Sequence, residues 1–423
     1  MNHVTRDMNF YHTHNPCELV KTYASPLYVY NELILRQKCH DMKNLCNYPN
    51  IRINYAMKAN TNLQLLSIIH DEGLCIDASS PGEVVAARAA GFETDEIMFI
   101  VNNVSPKELE YATNLGLIIS VDSLSQLETY GKLVDRLRTA QDSSRHKSAN
   151  LGRIAIRFNS GIGGGHHKKV ITGGDGTKFG IMPKDISLVK HILAKYSLQL
   201  VGINHHIGSQ NWGDLYSEGV VELLRIAKQF PGLEFIDLGG GFAIPYNKQC
   251  GEQALDLSKL GQNIDKLMYD FAHEYGKFVT FILEPGRYIV AECGVLLGTV
   301  HAMKNCGQTR YAGTDIGFSV FARTTLYDAH HDIEIYRDGS LGKESEVVSI
   351  VGNQCESGDY IARDRYLPLL REGDILGILD AGAYGYSMSS QYNHRPRPAE
   401  VLIQSDGAIR VIRERESLED LLR

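Results

Sequence analysis

The residues in this chain best suited to chemistry stand at the downstream ends of apolar runs, where a buried strand would open onto solvent. Lys58 lies in Tyr55-Ala56-Met57-Lys58-Ala59-Asn60. A lysine at a strand end inside an apolar barrel is partly desolvated, which lowers its pKa and makes the amine a nucleophile for a Schiff base. A single lysine taken alone reads as a surface residue with a buried stem. Asp77 ends a second run. Gly239-Gly240-Gly241 strips side chains from a third, so that backbone N–H groups can approach a phosphate; a tight turn before Pro245 is the simpler reading. Glu284-Pro285-Gly286-Arg287 sets a carboxylate and a guanidinium at one strand end. They suit a pyridine nitrogen and a phosphate or carboxylate, or simply one another. His205 and His206 point to opposite faces of a strand, so they do not share a metal ion. One of the two rings packed on a flat cofactor fits better. His166 and His167, in a glycine-rich loop, read as solvated.

Two further groups lie downstream. The cysteine of Cys355-Glu356-Ser357-Gly358-Asp359 is either a small buried apolar residue or, beside Glu356, a proton donor near neutral pH. Tyr384, in Ala381-Gly382-Ala383-Tyr384-Gly385, sits in a glycine-flanked turn that suits a ligand contact or a core tyrosine with its hydroxyl satisfied.

The elements that must carry these residues are legible from hydrophobic patterning. Eight short apolar strands are expected at 51–55, 74–77, 97–100, 117–121, 153–158, 200–205, 235–238 and 278–284, apolar throughout as strands buried on both faces are. Helical stretches fill most of the gaps. One begins at Ser80-Pro81-Gly82-Glu83, a capping-box pattern with proline in the first turn, and closes at Gly91. Another runs from Ser105-Pro106 to Gly116. Eightfold strand–helix repetition predicts a (β/α)8 barrel with its chemistry at the C-terminal strand ends; a doubly wound open sheet is the structural alternative. After about residue 290, strands at 295–300, 333–336, 347–351, 375–379, 401–404 and 409–412 follow one another without helices. Asp406-Gly407 marks a hairpin between the last two. This half reads as a mostly antiparallel β-domain, joined by an N-terminal strand at 26–30. The expected division is a barrel over 31–289 and a β-domain over 1–30 and 290–423. Polar loops are expected at 141–150 and, long enough to be functional, at 160–180.

With 423 residues the chain is long enough for a barrel and an appended domain. A net charge of −7 and the lack of a dense basic run with interleaved aromatics argue against nucleic-acid binding. The N-terminus lacks a secretion signal's apolar core, and the apolar runs are too short to span a bilayer. The eight cysteines form no CxxC pair, which predicts reduced thiols in a cytoplasm and no zinc site.

Taken together, these segments resemble the barrel-fold family of pyridoxal-phosphate decarboxylases. Within it, the chain is most similar to the branch that converts meso-2,6-diaminopimelate to L-lysine. The resemblance runs from about Pro26 to the C-terminus. It rests on YAMKAN, GLCIDASSPGE, HIGSQ, DLGGGF, EPGRYIVAE, RTTLYDAHH, CESGD, GAYG and NHRPRPAEVL, in that order. It implies that Lys58 holds pyridoxal 5'-phosphate covalently, with Asp77, Gly286 and Arg287 in the same cofactor site. His206 would stack on the ring, Ser209 and Gly239, Gly240 and Gly241 would bind the phosphate, and Glu284 would keep the pyridine nitrogen protonated. Arg287, Arg323, Tyr327 and Glu356 would bind the distal end of the substrate. Tyr384 would touch cofactor and substrate, and Cys355 would return a proton in place of CO2. It also implies an obligate homodimer, with Cys355 and Glu356 reaching into the partner's site.

The implied roles agree with the chemistry. Loss of CO2 leaves charge at the α-carbon, a protonated pyridine ring accepts it, and distal contacts orient the breaking bond. Two arginines suit a distal carboxylate, which ornithine lacks. The chain departs from the family pattern at Asn204, where a histidine is usual, and at Asp315-Ile316-Gly317-Phe318-Ser319-Val320. It departs again at Thr324 and at Asn353-Gln354, where proline is usual. The alternatives are a paralogue acting on another amino acid with a distal carboxylate or amine, and a silent homologue that regulates a true enzyme. Lys58 and Cys355 argue against the latter. A racemase of the same barrel type lacks a clear counterpart here for its second catalytic tyrosine.

Overall fold

Strands buried on both faces need parallel neighbours and covering helices, and the chain supplies both. The structure is a computed structural model in which residues 3–139, 149–165, 167–210 and 212–422 are described. His166 and most of the expected loop at 141–150 lie outside the described residues. The chain divides into two compact units. One comprises Cys39–Ala243 and Leu255–Gly286; the other comprises Met1–Lys38, Ile244–Ala254 and Arg287–Arg423.

The first unit is a closed barrel of eight strands. Around the barrel run Ile51–Ala56, Cys75–Ala78, Ile97–Ile100, Ile118–Val121, Arg153–Arg157, Gln199–Asn204, Phe235–Asp237 and Thr280–Leu283. Every neighbouring pair is parallel. These are the eight expected strands with ends shifted by one or two residues. Helices follow the strands as anticipated. Ser80 caps Pro81–Ala89 by accepting the Glu83 N–H at 3.2 Å. Glu83 returns its carboxylate one residue further back than a capping box requires, to the N–H of Ser79 at 2.6 Å. The full box forms at Ser105 and Glu108, heading Pro106–Asn114. Glycine is demanded where strands crowd: a Cβ on Gly202 would lie 2.1 Å from the Phe235 ring. Among the described residues no helix is long and apolar enough to cross a membrane.

The second unit is built on a nine-stranded sheet. Its spine is Gly294–Cys306, thirteen residues long, which pairs antiparallel with Leu27–Asn31, with Ile375–Ile378 and with Thr309–Thr314. A register shift between Val300 and Ala302 lets the one strand serve these neighbours. The N-terminal strand joins this sheet, as expected, and runs parallel to Ala399–Ile403. Thr309–Thr314 and Ser345–Val351 form a second parallel pair. Gly407 closes the hairpin before Ile409–Arg413 with φ +86°. The core beneath includes Leu27, Val29, Val295, Leu297, Val401 and Ile403, all buried.

Candidate active site

Within the barrel unit, the polar residues picked out from strand ends gather at the C-terminal ends of the strands. Lys58 sits in a short 3-10 turn, Met57–Ala59, directly after the first strand. Its amine lies 3.5 Å from Oδ2 of Asp77, at the end of the second strand. Asp77 is buried whereas the lysine side chain is 43% exposed, so the amine remains approachable.

Glu284 follows the eighth strand and is 3% exposed. It shares a side-chain hydrogen bond with Asp237, and its Oε1 has no hydrogen-bond partner among the described residues. Burial, then the nearby Asp237 and Asp77, push its pKa far above the usual carboxylate range, against the pull of Lys58. Burial raises Asp237 to about 7. Three buried carboxylates therefore converge on a place where a cationic ring nitrogen would relieve them, and the unpartnered Oε1 is an acceptor for its N–H. The residues present fit a protonated pyridine.

Gly239 and Gly241 have φ of +70° and +101°, and a Cβ on Gly240 would meet the Glu284 carbonyl oxygen at 2.0 Å. The trio is thus obligatory on backbone grounds. His205 and His206 lie just past the strand Gln199–Asn204 and take different hydrogen-bond partners. His205 lies between Ser160 Oγ at 3.2 Å and the Leu238 carbonyl at 3.1 Å, and burial draws its pKa down to about 3. His206 turns its Nδ1 to the N–H of Gly208 at 3.1 Å and to Thr172 Oγ1 at 2.8 Å. Burial, then Lys58 and Arg157, keep it neutral.

The long glycine-rich loop builds on this feature. Gly164–Gly165 pairs in parallel with Gly208–Ser209. The approach is so close that a Cβ on Gly208 would stand 1.7 Å from the Gly164 carbonyl oxygen. Asn159 Nδ2 ties the loop's other limb by donating to the carbonyls of Gly174 and Phe179, each at 3.1 Å. His167 caps a turn of this loop by accepting the Lys169 N–H at 3.1 Å.

One member of the barrel site escaped the sequence reading. Arg157 ends the fifth strand, donates to the carbonyls of Thr172 at 3.3 Å and His206 at 3.5 Å, and lies over the Phe179 ring at 4.6 Å. Its only signal was a charge beside Ile156 and Phe158 in an apolar run. Asn204, where a histidine is usual, is buried and accepts from Ser120 Oγ at 2.7 Å.

In the second unit, Arg287, Arg323 and Tyr384 come together around Tyr246, which the sequence reading did not single out. Arg287 donates to Tyr246 Oη at 2.6 Å and lies over the Tyr384 ring at 4.8 Å. Arg323 lies over the Tyr246 ring at 4.9 Å. Both arginines are buried, at 6% and 1% exposure. Burial lowers the Arg323 pKa to about 10, Nη2 has no hydrogen-bond partner, and no carboxylate among the described residues pairs with it. Tyr327 ends the short helix that Arg323 begins. Thr324, in the usual proline position of that helix, donates its hydroxyl to the Tyr360 carbonyl at 2.8 Å.

Cys355 and Glu356 occupy a different, exposed patch of this unit. Asn393 Nδ2 donates to Cys355 Sγ at 3.1 Å, and its Oδ1 accepts the Cys355 N–H at 3.1 Å. The Glu356 carboxylate accepts from Tyr392 Oη at 2.5 Å, and the partners of the thiol are Asn393 and Tyr392. Two of the departures from the family pattern meet here: Gln354 Nε2 donates to Ser319 Oγ at 2.6 Å.

Comparison with known proteins agrees with this geometry. Residues 33–291 match the pyridoxal binding domain of the pyridoxal-dependent decarboxylases. A diaminopimelate decarboxylase of Methanothermobacter thermautotrophicus is 40% identical over 96% of this chain and 92% of its own. That of Escherichia coli K12 is 32% identical over 96% and 95%. The crystal structure of diaminopimelate decarboxylase from Helicobacter pylori complexed with L-lysine superposes with a TM-score of 0.86 at 34% identity, covering 96% of this chain and 98% of that one.

Proposed function

This chain belongs to the pyridoxal-dependent decarboxylases, and from that premise we propose that it converts meso-2,6-diaminopimelate to L-lysine and CO2. It is a pyridoxal-phosphate-dependent carboxy-lyase of lysine biosynthesis. The observation that carries the choice of substrate is Arg323, buried, unpaired with any carboxylate among the described residues, and beside Arg287 and Tyr384. Cations buried without counter-charge are costly unless a ligand supplies one. Diaminopimelate carries a carboxylate at its distal end; ornithine does not.

When bound, pyridoxal phosphate supplies an electron-accepting ring that takes up the charge left as CO2 departs. Lys58 is its attachment point, with Asp77 beside the amine. Glu284 offers Oε1 to the ring nitrogen, and a cation there allows this carboxylate to ionise despite its burial. The neutral His206 would pack on the cofactor's ring, and Ser209 and Gly239–Gly241, with Gly286, would hold its phosphate. Arg287, Arg323, Tyr327 and Glu356 grip the distal end, and Tyr384 lies against the ligand. Cys355 returns the proton from Sγ, and the Asn393 amide is placed to stabilise the thiolate left behind. In this reading the enzyme is a cytoplasmic homodimer in which Cys355 and Glu356 serve the partner's site, consistent with their exposure.

The test is CO2 release by the purified holoenzyme from meso-diaminopimelate, L-lysine, L-ornithine and L-arginine, supplied separately. Release from diaminopimelate alone is expected. Preferred release from another amino acid would keep the chemistry and refute the substrate; release from none would refute the activity.

A further inference from the structure

Arg323 does not hold its position by pairing with an acid. Its Nε donates to Nε2 of His331 at 3.1 Å, and Nδ1 of the same ring lies 2.7 Å from the Leu379 carbonyl. A guanidinium Nε–H only donates, so Nε2 must present a lone pair. The ring proton therefore sits on Nδ1 and is donated to Leu379. His331 is buried, and its ring is fixed edge-on against Phe321 at 4.7 Å and Tyr246 at 4.8 Å. Burial and the Arg323 charge keep it neutral. The carbonyl behind it, two aromatic edges and the lone pair in front leave the ring one orientation and one role.

That role has a consequence for the guanidinium. With Nε engaged by His331 and one face against Tyr246, the edge left over is the terminal pair of nitrogens, of which Nη2 is buried without a partner. We infer that His331 is a positioning residue, which locks Arg323 end-on so that its two terminal nitrogens receive a substrate carboxylate remote from the bond that breaks. The inference rests on the assignment of Arg323 to the distal carboxylate. It adds that selectivity for a substrate bearing that group depends on a histidine that never touches the substrate.

The test compares two competitive inhibitors of the holoenzyme. L-Lysine keeps the distal carboxylate, and pentane-1,5-diamine lacks it. In His331→Leu, KM for meso-diaminopimelate and Ki for L-lysine rise by about 10-fold or more, the scale of a lost hydrogen bond to a charged group. Ki for pentane-1,5-diamine stays unchanged. His331→Gln, whose Oε1 can accept from Arg323, restores most of the loss. Equal weakening of both inhibitors, or unchanged lysine binding in His331→Leu, overturns the inference. If the unsubstituted enzyme itself fails to prefer L-lysine over the diamine, the carboxylate assignment of Arg323 fails first and the inference goes with it.

Discussion

Thr172 Oγ1 lies 2.8 Å from Nδ1 of His206, so a residue of the glycine-rich loop orients the histidine assigned to the cofactor's ring. The Gly208 N–H donates into the same nitrogen at 3.1 Å, which leaves the ring proton on Nε2. Thr172→Val removes the hydroxyl without changing volume greatly. The expected result is cofactor binding weakened by about 5–10-fold, the scale of one neutral hydrogen bond. It is read by titrating the cofactor-free protein with pyridoxal phosphate. Unchanged affinity would mean the loop does not act through His206.

Glu284→Gln keeps a hydrogen-bond acceptor opposite the ring nitrogen and removes the charge. The expected outcome is a kcat lowered by about 10–100-fold, the scale of a charge-assisted hydrogen bond, while cofactor is retained. Steady-state rates alongside the absorbance of bound cofactor check both halves. A variant with full activity would remove Glu284 from the mechanism.

Much of this arrangement was legible in sequence because the barrel's strands are apolar on both faces and its polar residues fall at their ends. Lys58, Asp77, Glu284 and the glycine trio stood out against that background. Arg157 did not, because it is embedded in an apolar run and reads as a strand residue with a stray charge. Tyr246 and His331 were hidden for another reason. Tyr246 packs against arginines distant in sequence, and nothing in RTTLYDAHH marks the ring of His331 as the partner of Arg323, eight residues before it. In the second unit, Tyr360–Pro368 was missed because its outward residues include Arg363, Asp364 and Arg365, half-exposed or exposed, and only Ile361 and Leu367 mark the buried face. Thr309–Thr314 has the same half-exposed character. Departures from the family pattern looked like separate puzzles, yet two of them are joined, Gln354 Nε2 donating to Ser319 Oγ.

The buried carboxylates give the cofactor-free protein a characteristic pH dependence. Burial raises Asp237 from 3.8 to about 7 in the folded state. A carboxyl that binds its proton more tightly when folded contributes stability present below 3.8 and lost as pH rises through 7. Asp380, also raised to about 7 by burial, acts in the same direction. The buried neutral histidines His205, His206 and His331 act in the opposite direction, so the prediction is a difference: relative to Asp237→Asn, the thermal midpoint of the cofactor-free wild type should fall as pH rises across this window. A pH slope identical in the two proteins would contradict it.

The shared-site dimer makes a quantitative prediction. Lys58→Ala and Cys355→Ala are each inactive alone. Unfolded together and refolded at equal ratio, they form mixed dimers in which one site carries both defects and the other none, restoring about a quarter of wild-type activity in a statistical mixture. Recovery at that level supports Cys355 acting across the subunit interface; no recovery places lysine and cysteine of one site on the same chain.

The most direct measurement is the yield of L-lysine and CO2 from meso-diaminopimelate by the wild-type holoenzyme and by Lys58→Ala under identical conditions. The account predicts equimolar lysine and CO2 from the wild type, and loss of both in the variant. Formation of lysine and CO2 at an undiminished rate without Lys58, or no lysine from the wild type, would contradict it.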